Sequence, residues 1–354
     1  MDRSEITQLQ AVHGFPAITI LLPTEQRWPD NHQNSIRVAN LVREAEERLR
    51  SECSARVWTP LISRLDALAA SIDYEHLDAG LALFVNHDIA RIVLLPFPVR
   101  EHVAVDETFA TRELVAAEQR SPRYWVLVLS ERPTRLYSAL RDTLTEVHAH
   151  GFPMTYEGPG GRGIYTSEFR DEYRRQFFRA VDAALGEVLA AEPLPLVVTG
   201  VERYLAYFRE VSAHAGAIVG TVTGNYDQTL PHDLAALVWP TMQEYLARQQ
   251  QQALDALAAA VDGQRHASGI EEVWRLAIEG RGEMLLVEGG FTYAAQENAT
   301  GMALRPAKNP MLPGVIDDAV DEIVETVIAK GGAVVFVPDG ALSAHRRIAL
   351  ILHY

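Results

Sequence analysis

The sequence predicts a mixed α/β fold arranged as three linked domains. The chain has 354 residues, which is more than one compact core at roughly 100 to 200 residues per domain. Short apolar runs, typical of buried strands, alternate with longer stretches of helical apolar spacing. Strand-like patterns begin again near Arg123 and after Gly263. We therefore predict domains at residues 1–122, 123–262 and 263–354.

The first domain is predicted to combine three strands with two helices. The first apolar run ends at Pro23, as buried strands often do. Asn86, His87 and Asp88 form the predicted turn of a hairpin, because Asn and Asp side chains bond to nearby backbone groups. The predicted strands are residues 17–22, 81–85 and 90–95, and the predicted helices are residues 36–49 and 60–72.

The middle domain is predicted around one long helix that begins at Ser167, a residue able to cap it. Apolar residues at helical spacing predict its buried face. That stripe consists of Phe169, Tyr173, Phe177, Val181, Leu185 and Val188. The other predicted elements are a strand at 124–129, its hairpin partner at 135–137, a strand at 194–199, and helices at 202–212 and 233–261.

The third domain repeats the alternation of strands and helices. The last helix is predicted from the apolar positions between Ile316 and Ile328, and Gly331 and Gly332 stop it. The predicted elements are helices at 270–280 and 316–328 and strands at 283–288, 333–337 and 348–352.

Composition excludes several classes of protein. Apolar residues make up 48% of the chain and charged residues 22%, as in ordinary globular proteins. The net charge of −15 argues against broad, non-specific adhesion to DNA, RNA or anionic membranes. Cys53 is the single cysteine, so neither an intramolecular disulfide nor a cysteine-rich zinc site is expected. No apolar run has a bilayer-spanning length, so we expect a cytoplasmic, soluble protein.

A glycine-rich stretch from Gly158 to Gly163 precedes the long helix. It lacks the lysine of a nucleotide-binding P-loop, and a plain surface loop is the common outcome for such a stretch. Residues 158–181 contain five arginines and three acids, which predicts a local cationic patch. The same arginines would be solvated or paired if they met Asp171, Glu172 and Asp182. The candidate RNA-binding residues are Gly160, Gly161, Arg162, Gly163, Arg170, Arg174, Arg175 and Arg179.

No catalytic, metal-binding or cofactor-binding constellation is predicted. His148 and His150 have no third ligand at diagnostic spacing, and no serine lies in a nucleophile elbow. Trp28, Asn31, His32 and Gln33 are candidates for an exposed contact loop, although such a loop is also typical of plain solvated surface.

The order of these units resembles the bacterial relatives of the archaeal and eukaryotic class I release factors and of Pelota. The ending of the chain is the most specific part of the resemblance. The motifs that carry it are Gly160-Gly161-Arg162, the helix from Phe169 to Leu185, Ile270-Glu271-Glu272-Val273, the run from Gly331 to Gly340, and the run from Arg347 to Tyr354. Within that group the chain is similar to the branch of Balon-like ribosome hibernation factors.

The resemblance implies a loop that enters the peptidyl transferase centre, where the family carries Gly-Gly-Gln. Here Arg162 takes the glutamine's place, and the family's Asn-Ile-Lys-Ser codon-reading motif is absent from a first domain without lysine. We therefore expect a non-catalytic factor that occupies the A site of the 70S ribosome, contacts rRNA and has elongation factor Tu as a possible partner.

Two alternatives stay open. One is a factor that hydrolyses peptidyl-tRNA or another RNA, for which Glu157, His148 and Glu168 are the nearest water activators in the sequence. The other is an adaptor whose arginine face binds an acidic protein independently of RNA.

Overall fold

The computed structural model describes residues 3–25, 32–95, 99–120, 122–158, 166–307 and 315–353. Helices and mixed sheets share the chain, so the predicted α/β class is confirmed. Within the described ranges, none of the helices has the length and apolar character needed to cross a membrane.

The helices and strands follow one another along the whole chain. In chain order they are α1 (Arg3–Gln10), β1 (His13–Pro23), α2 (Gln33–Glu52), α3 (Ala55–Ala70), β2 (Gly80–Val85), β3 (Ala90–Leu95), β4 (His102–Thr108), α4 (Arg112–Arg120), β5 (Arg123–Val128), β6 (Arg135–Leu140), β7 (Thr143–Glu146), α5 (Ser167–Ala191), β8 (Leu196–Gly200), α6 (Glu202–Val211), β9 (Ile218–Thr223), α7 (Pro231–Asp262), β10 (His266–Ser268), α8 (Ile270–Ile278), β11 (Gly282–Glu288), β12 (Ala295–Glu297), β13 (Leu304–Pro306), α9 (Ala319–Ala329), β14 (Ala333–Val337) and β15 (Ile348–Leu352).

The chain divides into two compact units. The first combines Met1–Arg120 with Gln252–Tyr354, and the second is Ser121–Gln251. The ends of the chain therefore share one unit, whereas the sequence predicted separate domains at 1–122 and 263–354. The positions of those domain boundaries stay a prediction.

The amino-terminal part of the first unit is an antiparallel sheet in the order β3-β2-β1-β4. Apolar residues on one face of this sheet pack with buried residues of α2 and α3. The predicted turn is confirmed, because Asn86 Oδ1 accepts the N–H groups of Asp88 at 2.9 Å and Ile89 at 2.7 Å.

The carboxyl-terminal part of the first unit is a mixed sheet in the order β10-β15-β11-β14. Strands β11 and β14 are parallel, so the residues after both strands emerge at the same edge. Helix α9 begins at Ala319 because Asp318 caps it, accepting the N–H of Val320 at 3.1 Å. The prediction that Ile316 lies in this helix was wrong, since Ile316 instead forms an isolated bridge with Ala295.

One hydrophobic core joins the two parts of the first unit. It contains Phe84 and Phe109 from the amino-terminal part and Trp274 and Ile323 from the carboxyl-terminal part. Because these side chains share a core, the free energy of unfolding of either part depends on both.

The second unit is a mixed sheet in the order β7-β6-β5-β8-β9, with β5, β8 and β9 parallel. Helices α5 and α6 contribute to a core on one face, where Phe178, Val181 and Leu185 are fully buried. Residues at the start of α7 form a second core with the other face of the sheet.

Candidate functional site

The glycine-rich segment predicted to contact RNA, residues 158–163, precedes α5 in the sequence. Gly160, Gly161, Arg162 and Gly163 lie outside the described residues. On the amino-terminal side, Tyr156 donates its backbone N–H to the carbonyl of Glu131 at 2.9 Å. On the carboxyl-terminal side, Thr166 caps α5 by accepting the N–H of Phe169 at 3.3 Å, so the predicted cap at Ser167 was wrong by one residue. Both neighbouring segments are thus tied to regular structure.

The start of the predicted apolar stripe is not core. Phe169 has 42% of its surface exposed, and Tyr173 and Phe177 are half-buried. Full burial on α5 begins at Phe178 and continues at Val181. The first three turns of α5 therefore lie at the edge of the hydrophobic core.

Arg174 is the most enclosed of the predicted arginines on α5. Its Nε donates to Glu131 Oε1 at 2.6 Å and its Nη1 to Asp171 Oδ1 at 3.1 Å. Asp171 also accepts a hydrogen bond from Arg203, which in turn donates its Nε to the hydroxyl of Tyr207 at 2.7 Å. Arg203 is the main reason that the pKa of Asp171 lies below its ordinary value.

Arg175 and Arg179 are also paired with carboxylates. Arg175 Nε donates to Glu210 Oε2 at 2.8 Å, and its guanidinium lies 4.9 Å from the ring centre of Tyr207. Arg179 Nη1 donates to Glu172 Oε1 at 2.9 Å. Exposed pairs of this kind add little stability, but each cancels the local charge of its arginine.

The expected cationic patch on α5 is therefore largely neutralised. Arg174, Arg175 and Arg179 each have a carboxylate partner, which the sequence analysis had offered as the alternative. Arg170 is exposed, and within the described part of the chain no carboxylate lies within 4 Å of it. A role of these arginines in RNA binding stays a prediction.

The predicted amino-terminal contact loop is described only in part. Trp28 and Asn31 lie outside the described residues. His32 and Gln33 are exposed at the beginning of α2, where His32 occupies the cap position without a side-chain capping bond.

Sequence reasoning missed a polar cluster centred on Asp182. This carboxylate, only 5% exposed, accepts hydrogen bonds from Ser212 Oγ at 2.6 Å and Ala213 N at 2.9 Å. It also contacts His214 Nδ1 at 3.1 Å. The His214 ring lies against Gly186, where an added Cβ would come within 2.7 Å of it. Asp182 thus holds the segment after α6. The sequence analysis had offered Asp182 as a partner of the arginines, but its partners among the described residues are Ser212, Ala213 and His214.

The histidines near this region do not form a metal site within the described part of the chain. Within the described ranges, no three His, Cys, Asp or Glu side chains are placed to hold a metal ion. His150 contacts Glu187 at 3.2 Å, and His148 is exposed.

Solved structures of translation factors resemble this chain at low identity. An archaeal translation termination factor, aRF1, is 15% identical, with 100% of this chain and 99% of that chain covered and a TM-score of 0.26. A model of ribosome-bound archaeal Pelota and ABCE1 is 13% identical, with coverages of 99% and 94% and a TM-score of 0.44. Dom34 of S. cerevisiae, a translation termination-like factor, is 12% identical, with coverages of 78% and 73% and a TM-score of 0.44. At these TM-scores the likenesses carry no further conclusion.

A family model matches part of the chain. It describes bacterial archaeo-eukaryotic release factor family 3 and matches residues 123–281, which contain α5 and the glycine-rich segment before it. No curated protein matches the chain. The predicted kinship with the release factors is confirmed, and the Balon-like branch stays a prediction. Over residues 123–281 this chain is similar to the bacterial archaeo-eukaryotic release factors, family 3.

Proposed function

We propose that this protein is a translation factor that occupies the A site of the 70S ribosome without hydrolysing peptidyl-tRNA, and so keeps ribosomes inactive under stress. One observation carries the proposal. Residues 123–281 match a release factor family, yet Arg162 follows Gly160 and Gly161 where the resemblance implies glutamine.

The change from glutamine to arginine alters the chemistry of the loop. A glutamine side chain both donates and accepts hydrogen bonds, whereas a guanidinium has five N–H donors and no acceptor. Arg162 therefore cannot reproduce the amide's contacts with a water molecule, but it is suited to bind phosphate through two parallel bonds. A bound but unreactive loop follows from this difference.

The neutralised arginines on α5 favour binding through few positive contacts. Since carboxylates engage Arg174, Arg175 and Arg179, the attraction to rRNA falls to other arginines, among them Arg162 and Arg170. The finer parts of the proposal come from the resemblance. They are a first domain near the decoding region, a last domain near a stalk or translation GTPase, elongation factor Tu as a partner, and a cytoplasmic location.

Cosedimentation with purified 70S ribosomes at physiological salt tests the proposal. We expect the wild-type protein to travel with vacant ribosomes and Arg162→Ala to weaken this binding. Arg248→Ala is the matched control, since Arg248 is an exposed arginine on α7 that donates to the carbonyl of Val219 at 3.1 Å and pairs with no carboxylate among the described residues. Wild-type protein that stays in the supernatant would refute the proposal, as would equal effects of the two variants.

A peptide release assay tests the absence of catalysis. Ribosomes loaded with labelled peptidyl-tRNA should retain the peptide in the presence of the wild-type chain. Arg162→Gln restores the Gly-Gly-Gln sequence, so release by this variant alone would assign the inactivity to one side chain. Release by the wild-type chain would instead establish the hydrolytic alternative. A pull-down after complete RNA digestion that retains partners but no ribosomal proteins would favour the adaptor alternative.

A further inference from the structure

The carboxyl edge of β11 and β14 gathers three loop segments of the first unit. In α/β sheets, ligands commonly bind where parallel strands end. Glu288, the last residue of β11, donates its backbone N–H to the carbonyl of Arg347 at 3.1 Å. Gly289 donates to the carbonyl of Val337, the last residue of β14, at 3.1 Å. The segments that follow the two strands and the segment that enters β15 therefore meet at this edge.

The buried carboxylate of Glu288 binds the segment that precedes β15. It is 2% exposed and accepts the backbone N–H of Leu342 at 3.0 Å and Nε of Arg347 at 2.8 Å. Burial opposes its ionisation, but the bonds from Arg347 and backbone N–H groups outweigh burial and hold the pKa of Glu288 below its ordinary value. The ionised carboxylate thus sets the position of Arg347.

Arg346 and Arg347 both have left-handed backbone conformations, with φ of 54° and 74°. Such conformations are uncommon outside glycine and tend to persist at functional sites. The guanidinium of Arg347 lies 5.1 Å from the ring centre of Phe291, and its side chain is 42% exposed. The stem of Arg346 crosses Gly269, where an added Cβ would come within 3.1 Å of Arg346 Cδ. Both side chains are thereby held at the surface.

Arg100 reaches the same edge from the amino-terminal part of the unit. Its Nη1 lies 3.4 Å from the carbonyl oxygen of Gly290. A Cβ added at Gly290 would lie 2.8 Å from Arg100 Nη2 and 2.4 Å from Asp339 Oδ2. Residue 290 must therefore remain glycine for Arg100 and Asp339 to approach this closely.

Two of the three arginines at this edge lack a carboxylate partner among the described residues. Glu288 and Asp339 both engage Arg347, and Asp339 additionally accepts the N–H of Gly290 at 2.8 Å. Among the described residues, neither Arg100 nor Arg346 has a carboxylate within 4 Å. Glu272 also lies near this edge, where its carboxylate accepts the N–H of Ser268 at 3.3 Å, but it does not pair with Arg346. Arg100 and Arg346 thus differ from Arg174, Arg175 and Arg179 of α5, each of which has an acid partner.

From this geometry we infer that Arg100 and Arg346 form a binding surface for the phosphate backbone of RNA at this edge, where Arg347 stays paired with Glu288 and Asp339. The side chains of Arg100 and Arg346 are both exposed, and each guanidinium can bind a phosphate through two parallel bonds. The inference rests on the proposed function in one respect, because that function identifies the RNA as ribosomal. It adds a second RNA contact, in the first unit, to the loop of the second unit.

Filter binding of the full-length protein to deproteinised rRNA, measured over a range of salt concentrations, tests this surface. The logarithm of the affinity falls linearly with the logarithm of the salt concentration. Each lost phosphate contact reduces the magnitude of this negative slope by roughly one. We expect Arg100→Gln/Arg346→Gln to reduce the slope by about two. Arg56→Gln is the control, since Arg56 is an exposed arginine on α3 in the same unit. Its slope should equal that of the wild type.

The outcomes separate this surface from the proposed function. An unchanged slope in a folded double variant, or no binding of wild-type protein to rRNA at low salt, would overturn the inference. Binding of a polyglutamate peptide gives a second readout. If the double variant loses this binding but keeps its binding to rRNA, the inference is overturned, and the surface is assigned to an acidic protein. Failure of the wild-type chain to bind 70S ribosomes would refute the proposed function alone, because naked rRNA reports this surface independently.

Discussion

Raising the pH is expected to weaken the first unit through a buried group of carboxylates between β4 and α9. Asp106, Asp318, Asp321 and Glu322 line a cavity of about 20 Å³, enough for one water molecule, together with His102. Burial and the neighbouring carboxylate of Glu325 raise the pKa of Glu322 from 4.5 to about 8. The hydroxyl of Thr108, 3.4 Å from Glu322 Oε1, only partly offsets this effect.

The sign of the effect follows from proton binding. The folded protein holds the Glu322 proton up to a pH of about 8, whereas the unfolded chain releases it near 4.5. This contribution to the free energy of unfolding is therefore complete below 4.5 and is lost as the pH rises through 8. The total is at most about 5 kcal/mol at about 1.4 kcal/mol per pH unit, of which roughly 1.4 kcal/mol disappears between pH 7 and 9. The pKa of Asp321 is raised in the same direction, chiefly by burial and then by Glu325.

Urea unfolding between pH 7 and 9 measures this loss. Burial lowers the pKa of His102, and Glu322→Gln keeps this side chain, so comparison with the variant removes its small contribution to the slope. Glu322→Gln cannot ionise, so the fall in its free energy of unfolding should be smaller than in the wild type by about 1.4 kcal/mol. Glu107→Gln, an exposed neighbour on the same strand, should keep the wild-type slope. Equal slopes in wild type and Glu322→Gln would refute the reasoning.

Three further substitutions test other parts of the structure. Arg112→Met removes a guanidinium that lies 2.6 Å from the carboxylate of Asp318. The free energy of unfolding in urea should fall by about 3 to 5 kcal/mol, because a buried carboxylate loses its counter-ion. A fall of less than about 1 kcal/mol would contradict this. Asp182→Ala removes the acceptor of the Ser212 hydroxyl and the Ala213 N–H, together with the contact to His214, and should lower the free energy of unfolding of the second unit by about 1 to 3 kcal/mol. Asp182→Asn should be less affected. Glu210→Gln frees Arg175 from its carboxylate. The magnitude of the salt slope of rRNA binding should then increase by up to about one. An unchanged slope would show that Arg175 does not contact RNA.

Local patterns predicted most of the strands well. The predicted strands at 90–95, 333–337 and 348–352 coincide with β3, β14 and β15, because each is a short, largely apolar run that ends at a proline or a polar residue. Helix α5 was also found, since its polar and apolar residues repeat with helical spacing.

The segment from β4 to α4 was missed for a physical reason. Strand β4 contains Asp106 and Glu107, and α4 buries the charged residue Arg112 in its first turn. These residues are tolerated because distant partners compensate them, such as Asp318 for Arg112. Hydrophobic periodicity cannot find an element whose burial depends on such pairs.

The same limit explains the error in charge at the candidate site. Counting residues 158–181 gave a surplus of arginine, but Glu131 lies 43 positions before Arg174 and Glu210 lies 35 positions after Arg175. Only the fold brings these acids to α5. The net positive charge counted over a stretch of sequence therefore overstates the positive electrostatic potential that an RNA would meet at α5.

This neutralisation constrains how a chain of net charge −15 can bind rRNA. If Arg174, Arg175 and Arg179 stay paired, only arginines without an acid partner release counterions from RNA. With Arg100, Arg170, Arg346 and the loop residue Arg162 in contact, the expected salt slope is about −3 to −4, far from the roughly −10 of proteins that bind DNA through many phosphates. A slope of about −6 would fit seven contacts, with Arg174, Arg175 and Arg179 released from the acids of α5 on the ribosome. A slope near zero would mean that protein surfaces, and not RNA, hold the chain there.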